Sequence, residues 1–155
     1  FFLEKRASGI LPITHPNMTR FNISLQEGVD MVLWSLENAW GGEVFVPKIP
    51  SYRIMDVANA IGPECEHPVV GVRPGEKIHE EMITASDSWN TVDMGKYYAI
   101  LPVGANYSMQ EYCEKMGANP VEQGFCYNSG SNEHFLTADE LRDLIHTHVV
   151  NNHAV

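Results

Sequence analysis

The sequence predicts an α/β fold of short strands and short helices, forming a lobe that leans on a larger partner. Three observations predict it. Strand-like and helix-like stretches alternate between residues 10 and 101. The stretches are short and the connections long, too irregular for a doubly wound sheet of the chain's own. No Gly-x-Gly-x-x-Gly or Gly-x-x-Gly-x-x-Gly occurs, so the glycine loop that opens a dinucleotide-binding sheet is absent. With 155 residues, 44% apolar and 19% charged, the chain can bury one ordinary core.

Residues 1–7 read as the end of a helix cut off upstream. The chain opens on Phe1 rather than Met, so the visible start is expected not to be the natural one. Residues 10–14 and 20–23 read as strands around a His15-Pro16-Asn17 turn. Ser24-Leu25-Gln26-Glu27 is a capping box, in which each side chain satisfies a free backbone donor at a helix start. Leu25, Val29, Val32, Leu33, Leu36 and Trp40 recur at helical spacing as one apolar stripe. Gly41-Gly42 is the expected stop, since glycine tolerates a left-handed cap.

Residues 43–47 read as a strand. Ser51 is placed to cap a helix over residues 52–61 that buries Ile54, Val57, Ala58 and Ile61 and ends at Gly62-Pro63. Residues 69–72 read as a buried strand, followed by a tight loop at Arg73-Pro74-Gly75-Glu76 and a short helix over 77–83. Residues 84–94 read as a polar loop and 96–101 as a strand. Between 102 and 134, Gly, Asn, Pro and Ser blur the pattern and predict irregular structure. Thr137-Ala138-Asp139-Glu140 is a second capping box. It opens a helix with Leu141, Leu144, Ile145 and His148 on one side and a frayed tail beyond.

The net charge is −10, from 20 acidic and 10 basic residues. That field opposes phosphate backbones and anionic lipid, which argues against nucleic-acid and membrane-surface roles. No apolar run approaches the roughly 20 residues that span a bilayer, and no leader is read at the visible start. Cys65, Cys113 and Cys126, odd in number and widely spaced, are expected to be reduced thiols of a cytoplasmic protein. An anionic ligand would have to be held against the overall field by a few well-placed arginines.

Arg73-Pro74-Gly75-Glu76 offers one of them. An arginine straight after a strand leaves the end of the sheet, where ligands of α/β proteins collect. Its guanidinium fits phosphate oxygens bidentately. Proline and glycine fix the turn and admit a ligand closely. Glu76 is suited to accept hydrogen bonds from vicinal ribose hydroxyls, each worth about 1.5–3 kcal/mol when charged. The competing reading is a surface turn with an ordinary ion pair. Arg20, where a turn enters a strand, is the second candidate, because a diphosphate suits two arginines from separate loops. Lys48 stands where it would reach a ligand at the end of its strand, but the favoured reading is a solvated lysine in a proline-stiffened turn. His79-Glu80-Glu81 and His146-Thr147-His148 lack zinc-type spacing, so no metal site is expected. Trp34, Trp40, Phe45, Tyr97 and Tyr98 read as core. No tyrosine is followed four residues later by lysine, and no Gly-x-Ser-x-Gly occurs, so no catalytic residue is assigned.

Three stretches together carry a resemblance: Met18-Thr19-Arg20-Phe21, residues 42–51 (Gly-Glu-Val-Phe-Val-Pro-Lys-Ile-Pro-Ser) and residues 71–80 (Gly-Val-Arg-Pro-Gly-Glu-Lys-Ile-His-Glu). In this order they resemble the inverting UDP-N-acetylglucosamine 4,6-dehydratases, which are extended short-chain dehydrogenase/reductases. Tyr127-Asn128-Ser129, Asn132, Phe135-Leu136 and the last helix look like that family's ending. The resemblance implies that residues 1–155 are the C-terminal, sugar-nucleotide-binding part, with the N-terminal Rossmann part missing. The parent it implies is a cytoplasmic bacterial homo-oligomer with bound NADP(H). Such an enzyme oxidises a UDP-sugar at C4, eliminates water across C5 and C6, and returns the hydride to C6 with inversion at C5. Its product feeds surface-glycan or nonulosonic-acid synthesis. Arg20 and Arg73 resemble the pair that grips the diphosphate, and Glu76 the acid that holds the ribose. A sibling epimerase or retaining dehydratase, and a binding or assembly module without turnover, are the competing readings.

Overall fold

The computed structural model describes residues 1–150, the last by its backbone alone. In chain order the elements are helix α1 (Phe2–Lys5), strand β1 (Thr19–Phe21), α2 (Leu25–Asn38), β2 (Val44–Pro47), β3 (Ser51–Arg53), α3 (Ile54–Ile61), β4 (Glu81–Ile83), β5 (Thr91–Asp93), β6 (Tyr97–Ile100), α4 (Met109–Met116), β7 (Asn119–Pro120), β8 (Tyr127–Asn128) and α5 (Ala138–Ile145). They fall into two units. One holds Phe1–Asn22, Pro50–Glu80 and the chain from Ser129 on; the other holds Ile23–Ile49 and Glu81–Asn128. Among the described residues no helix is long and apolar enough to cross a membrane.

The first unit buries Leu11, Ile13, Ala58 and Ile61 together, with Phe2, Ile54, Val57 and Ile145 packed around them. Each fully buried aliphatic side chain contributes about 1.5–3 kcal/mol, so side chains hold residues 10–13 down more than backbone pairing does. That pairing is parallel and broken. The Leu11 and Ile13 N–H groups donate to the Glu66 and Pro68 carbonyls at 2.8 Å. Pro68 has no N–H to give to the Leu11 carbonyl, the missing rung between these bonds, which leaves isolated bridges at Ile10/Glu66 and Ile13/Val69 in place of two strands. Residues 69–72 are therefore not the buried strand expected: Val69 and Val70 are 60% and 65% exposed.

Strand β1 pairs antiparallel with β3, Arg20 opposite Tyr52. Ser51 lies fully buried in this ladder and does not cap a helix. Its N–H donates to His134 and its C=O accepts from Leu136, at 2.9 and 2.8 Å. Helix α3 consequently starts at Ile54, after an uncapped Arg53, and Gly62 ends it as expected. Helix α5 opens on the predicted capping box and packs Leu141 against Ala60 and Leu136. A π turn, His146–Val150, continues it. From residue 151 on, the tail expected to fray lies outside the described residues.

The helix expected over 77–83 does not form. The Ile78 and Glu80 carbonyls accept instead from the N–H groups of Thr19 and Ser129, at 3.0 and 2.8 Å. Beyond them, residues 81–83 become β4.

The second unit is built on an antiparallel sheet of order β2-β6-β5-β7, with β4 and β8 paired separately across a bulge. Its core joins Val92, Ala99, Leu101, Tyr112 and Ala118. Residues 84–94, expected to be a loop, supply β5, whose Thr91 and Val92 are fully buried. Residues 102–134, expected to be irregular, contain α4. Its N-cap Ser108 accepts the Glu111 N–H, and Gly117 closes it with a left-handed φ of 64°.

Helix α2 begins at its predicted capping box but ends at an extended Ala39, before the glycines. Trp40 lies beyond it and packs on Tyr107 and Tyr112. The predicted apolar stripe is not the buried one. Leu25, Val29, Val32, Leu33 and Leu36 are all exposed, Leu25 at 87%. Trp34 faces the sheet instead, its ring 5.2 Å from Phe45 and 4.6 Å from Tyr97.

Candidate functional site

The first unit gathers the charged residues singled out in the sequence. At 73–76 the chain makes a tight turn: the Glu76 N–H donates to the Arg73 C=O at 3.1 Å. Proline at the second position and glycine at the third, with φ of 81°, are what a type II turn requires. The turn folds the Glu76 carboxylate back on its own start. One oxygen accepts the Arg73 N–H at 3.1 Å, and the other lies 4.0 Å from Arg20 Nη2.

Strand β1 holds Arg20 with its side chain only 20% exposed. Its Nη1 donates to the Thr19 and Ile78 carbonyls at 2.7 and 3.2 Å, and Nη2 lies 3.3 Å from Met18 Sδ. Glu80 closes the other side: one oxygen accepts the Phe21 N–H at 2.8 Å and the other lies 3.7 Å from Arg20 Nε. Tyr52, opposite Arg20, has its phenol pushed above the usual tyrosine value by burial and by the Glu80 carboxylate, with Arg20 pulling the other way.

The structure thus brings Arg20 and Glu76 together and ties Glu76 to the backbone of Arg73. The Arg73 guanidinium does not join this cluster. It has no hydrogen-bond or ion-pair partner among the described residues. The two arginines therefore differ: Arg20 is held in place among carbonyls and carboxylates, whereas the Arg73 guanidinium stands on an exposed turn without such neighbours. Glu76, a quarter exposed, keeps lone pairs for a hydroxyl-bearing ligand.

Sequence reasoning missed Glu80, which it placed on a helix. It also missed a side-chain chain of Thr19, His79 and Ser129, in which Thr19 Oγ1 lies 2.8 Å from His79 Nδ1 and 2.7 Å from Ser129 Oγ. Those partners are 60 and 110 residues apart, and no local pattern announces them. Lys48 belongs to the second unit, where its Nζ is 2.6 Å from Asp93 and 4.5 Å over the Tyr98 ring. Among the described residues no group of His, Cys, Asp and Glu is arranged to hold a metal. The three cysteines are free thiols.

The fold class is α/β, built of small sheets and short helices. The solved structure of Pen from Bacillus thuringiensis matches 99% of this chain and 45% of its own with a TM-score of 0.75, at 23% identity. The chain belongs to the family described as "Polysaccharide biosynthesis protein", which matches residues 1–102. A Campylobacter jejuni protein named UDP-N-acetylglucosamine 4,6-dehydratase (inverting) is 42% identical over 94% of this chain and 45% of its own length. A Rickettsia felis protein named UDP-glucose 4-epimerase is 33% identical over 87% of this chain and 40% of its own. The chain therefore spans less than half the length of these relatives.

Proposed function

We propose that this chain is the sugar-nucleotide-binding part of a C5-inverting UDP-N-acetylglucosamine 4,6-dehydratase. Its Arg73 and Arg20 grip the substrate's diphosphate and its Glu76 holds the ribose. The observation that carries the reading is the bridging carboxylate of Glu76, which sets the Arg73 turn and the Arg20 strand against one another. The 42% identity to the Campylobacter jejuni protein supports the reaction class.

In the parent a dinucleotide-binding part supplies NADP(H) and the acid–base groups. The residues here do not fit that cofactor, lacking both a glycine-rich first turn and a Tyr-x-x-x-Lys. This chain's contribution is to hold the nucleotide so that the sugar is presented to the reacting centre. Binding energy from the nucleotide, remote from the chemistry, orients the sugar. The parent makes a 4-keto-6-deoxy UDP-amino sugar for bacterial surface glycans or nonulosonic acids, in the cytoplasm and as a homo-oligomer.

Calorimetry with UDP on this chain tests the reading. Wild type binds, and Arg73→Ala loses about tenfold or more in affinity, as expected for a charge-assisted hydrogen bond worth about 1.5–3 kcal/mol. Equal affinity in the variant refutes the assignment. Similarity to the Rickettsia felis protein favours an epimerase as the second reading. The two part at C6, where only dehydration leaves a methyl group.

A further inference from the structure

We infer that His79 is a positioning residue for Arg20. It acts in its neutral, Nε2-protonated form at the end of an ordered chain of hydrogen bonds running from Ser129 through Thr19. This inference deepens the proposed function and rests on the reading of Arg20 as part of the nucleotide site.

Counting hydrogens fixes the order. Ser129 is fully buried, and its Oγ already accepts the Glu80 N–H at 2.8 Å. Among the described residues the hydrogen on that Oγ has a single acceptor, Thr19 Oγ1, at 2.7 Å. Thr19, 4% exposed, must then place its own hydrogen on His79 Nδ1, at 2.8 Å. Nδ1 can accept only if it is bare, so the neutral ring carries its hydrogen on Nε2. The opposite order would leave a buried Ser129 hydroxyl hydrogen without an acceptor, which folded proteins avoid.

Packing holds the ring in the same place. A Cβ on Gly130 would lie 2.5 Å from His79 Nδ1 and 2.7 Å from Cγ, so only glycine lets the imidazole approach the backbone beside Ser129 this closely. The chain of bonds joins two segments. Thr19 precedes Arg20 on β1, and its carbonyl accepts from Arg20 Nη1. His79 sits between Ile78, whose carbonyl also accepts from Nη1, and Glu80, whose carboxylate flanks Nε. Fixing Thr19 to His79 therefore fixes the guanidinium among its partners.

Three measurements on this chain test the inference. Long-range nitrogen-15 correlation at neutral pH is expected to show His79 as the Nε2–H tautomer; an Nδ1–H tautomer or an imidazolium overturns the inference. With UDP as probe, His79→Phe loses about tenfold in affinity, and His79→Asn, whose amide oxygen stands where Nδ1 stood, stays within about threefold of wild type. His79→Gln reaches the Nε2 position instead and behaves like His79→Phe. Wild-type affinity in His79→Phe overturns the positioning role.

Amide exchange at Thr19 and Phe21 gives an answer independent of UDP. It is expected to quicken about tenfold in His79→Phe and to recover in His79→Asn; unchanged exchange overturns the inference. A chain that binds no UDP but shows the expected tautomer and exchange refutes the nucleotide reading and leaves the hydrogen-bond order standing. UDP binding with the wrong tautomer does the reverse.

Discussion

Glu76 and Glu80 use their carboxylates to fix backbone as much as to meet charge. Each gives one oxygen to an N–H, of Arg73 or Phe21, and keeps the other near Arg20 at 4.0 and 3.7 Å. Ion pairs this long and partly exposed contribute about 0–1 kcal/mol, so their value lies in orientation rather than stability. Steric fit is the stronger constraint nearby. A methyl on Gly130 would meet three atoms of the His79 ring at 2.5–2.8 Å. Gly130→Ala is expected to destabilise the chain by about 1–3 kcal/mol, the usual cost of overpacking. Adding His79→Ala should return part of that loss, because the clash needs both side chains. Urea denaturation of the four proteins measures the coupling. Strict additivity would mean that the ring does not lie over residue 130.

Capping boxes state their own geometry within four residues, and both that were read in the sequence formed. In α5, the Glu140 carboxyl is held below the usual carboxylate range by the Thr137 N–H and then by the Thr137 hydroxyl. A lowered folded-state value means that the ionised cap stabilises above the unfolded value, and that this contribution fades as pH falls through the folded one. The stability advantage of wild type over Glu140→Ala should therefore shrink on acidification through the carboxylate range, read by thermal melts from neutral pH to about pH 3. An advantage that stays constant would place the effect elsewhere. Ser108 and Glu111 carry half of the same signal, masked by the Gly, Asn and Ser around them, and α4 went unread.

What the sequence could not express was long-range. The Ile78 and Glu80 carbonyls are taken by Thr19 and Ser129, far away in the chain, which undoes the local helical pattern of 77–83. Periodicity announced a stripe on α2 but not which side the chain itself would cover. Residue type and spacing offered Arg20, Arg73 and Glu76 as candidates. The partners that hold Arg20 in place were legible only after folding.

Helix α2 leaves an apolar surface open. Ile23, Leu25, Val29, Val32 and Leu33 line a groove of about 410 Å³ along α2, with Leu36 exposed at 77% on the same helix. A contiguous patch of this kind marks a surface that packs against something. The relatives are more than twice as long as the part matched here. Taken alone, this chain is expected to self-associate. Its net charge of −10 opposes that association at low ionic strength. Added salt screens the repulsion and leaves the apolar attraction, so association should strengthen with salt, the reverse of an ion-pair interface. Sedimentation velocity is expected to show species above the 17.4 kDa monomer that grow with sodium chloride. Leu33→Glu should return the chain toward monomer while Arg73-dependent UDP binding persists. A monomer at every salt concentration, or association that weakens as salt rises, would remove α2 as the adhesive face.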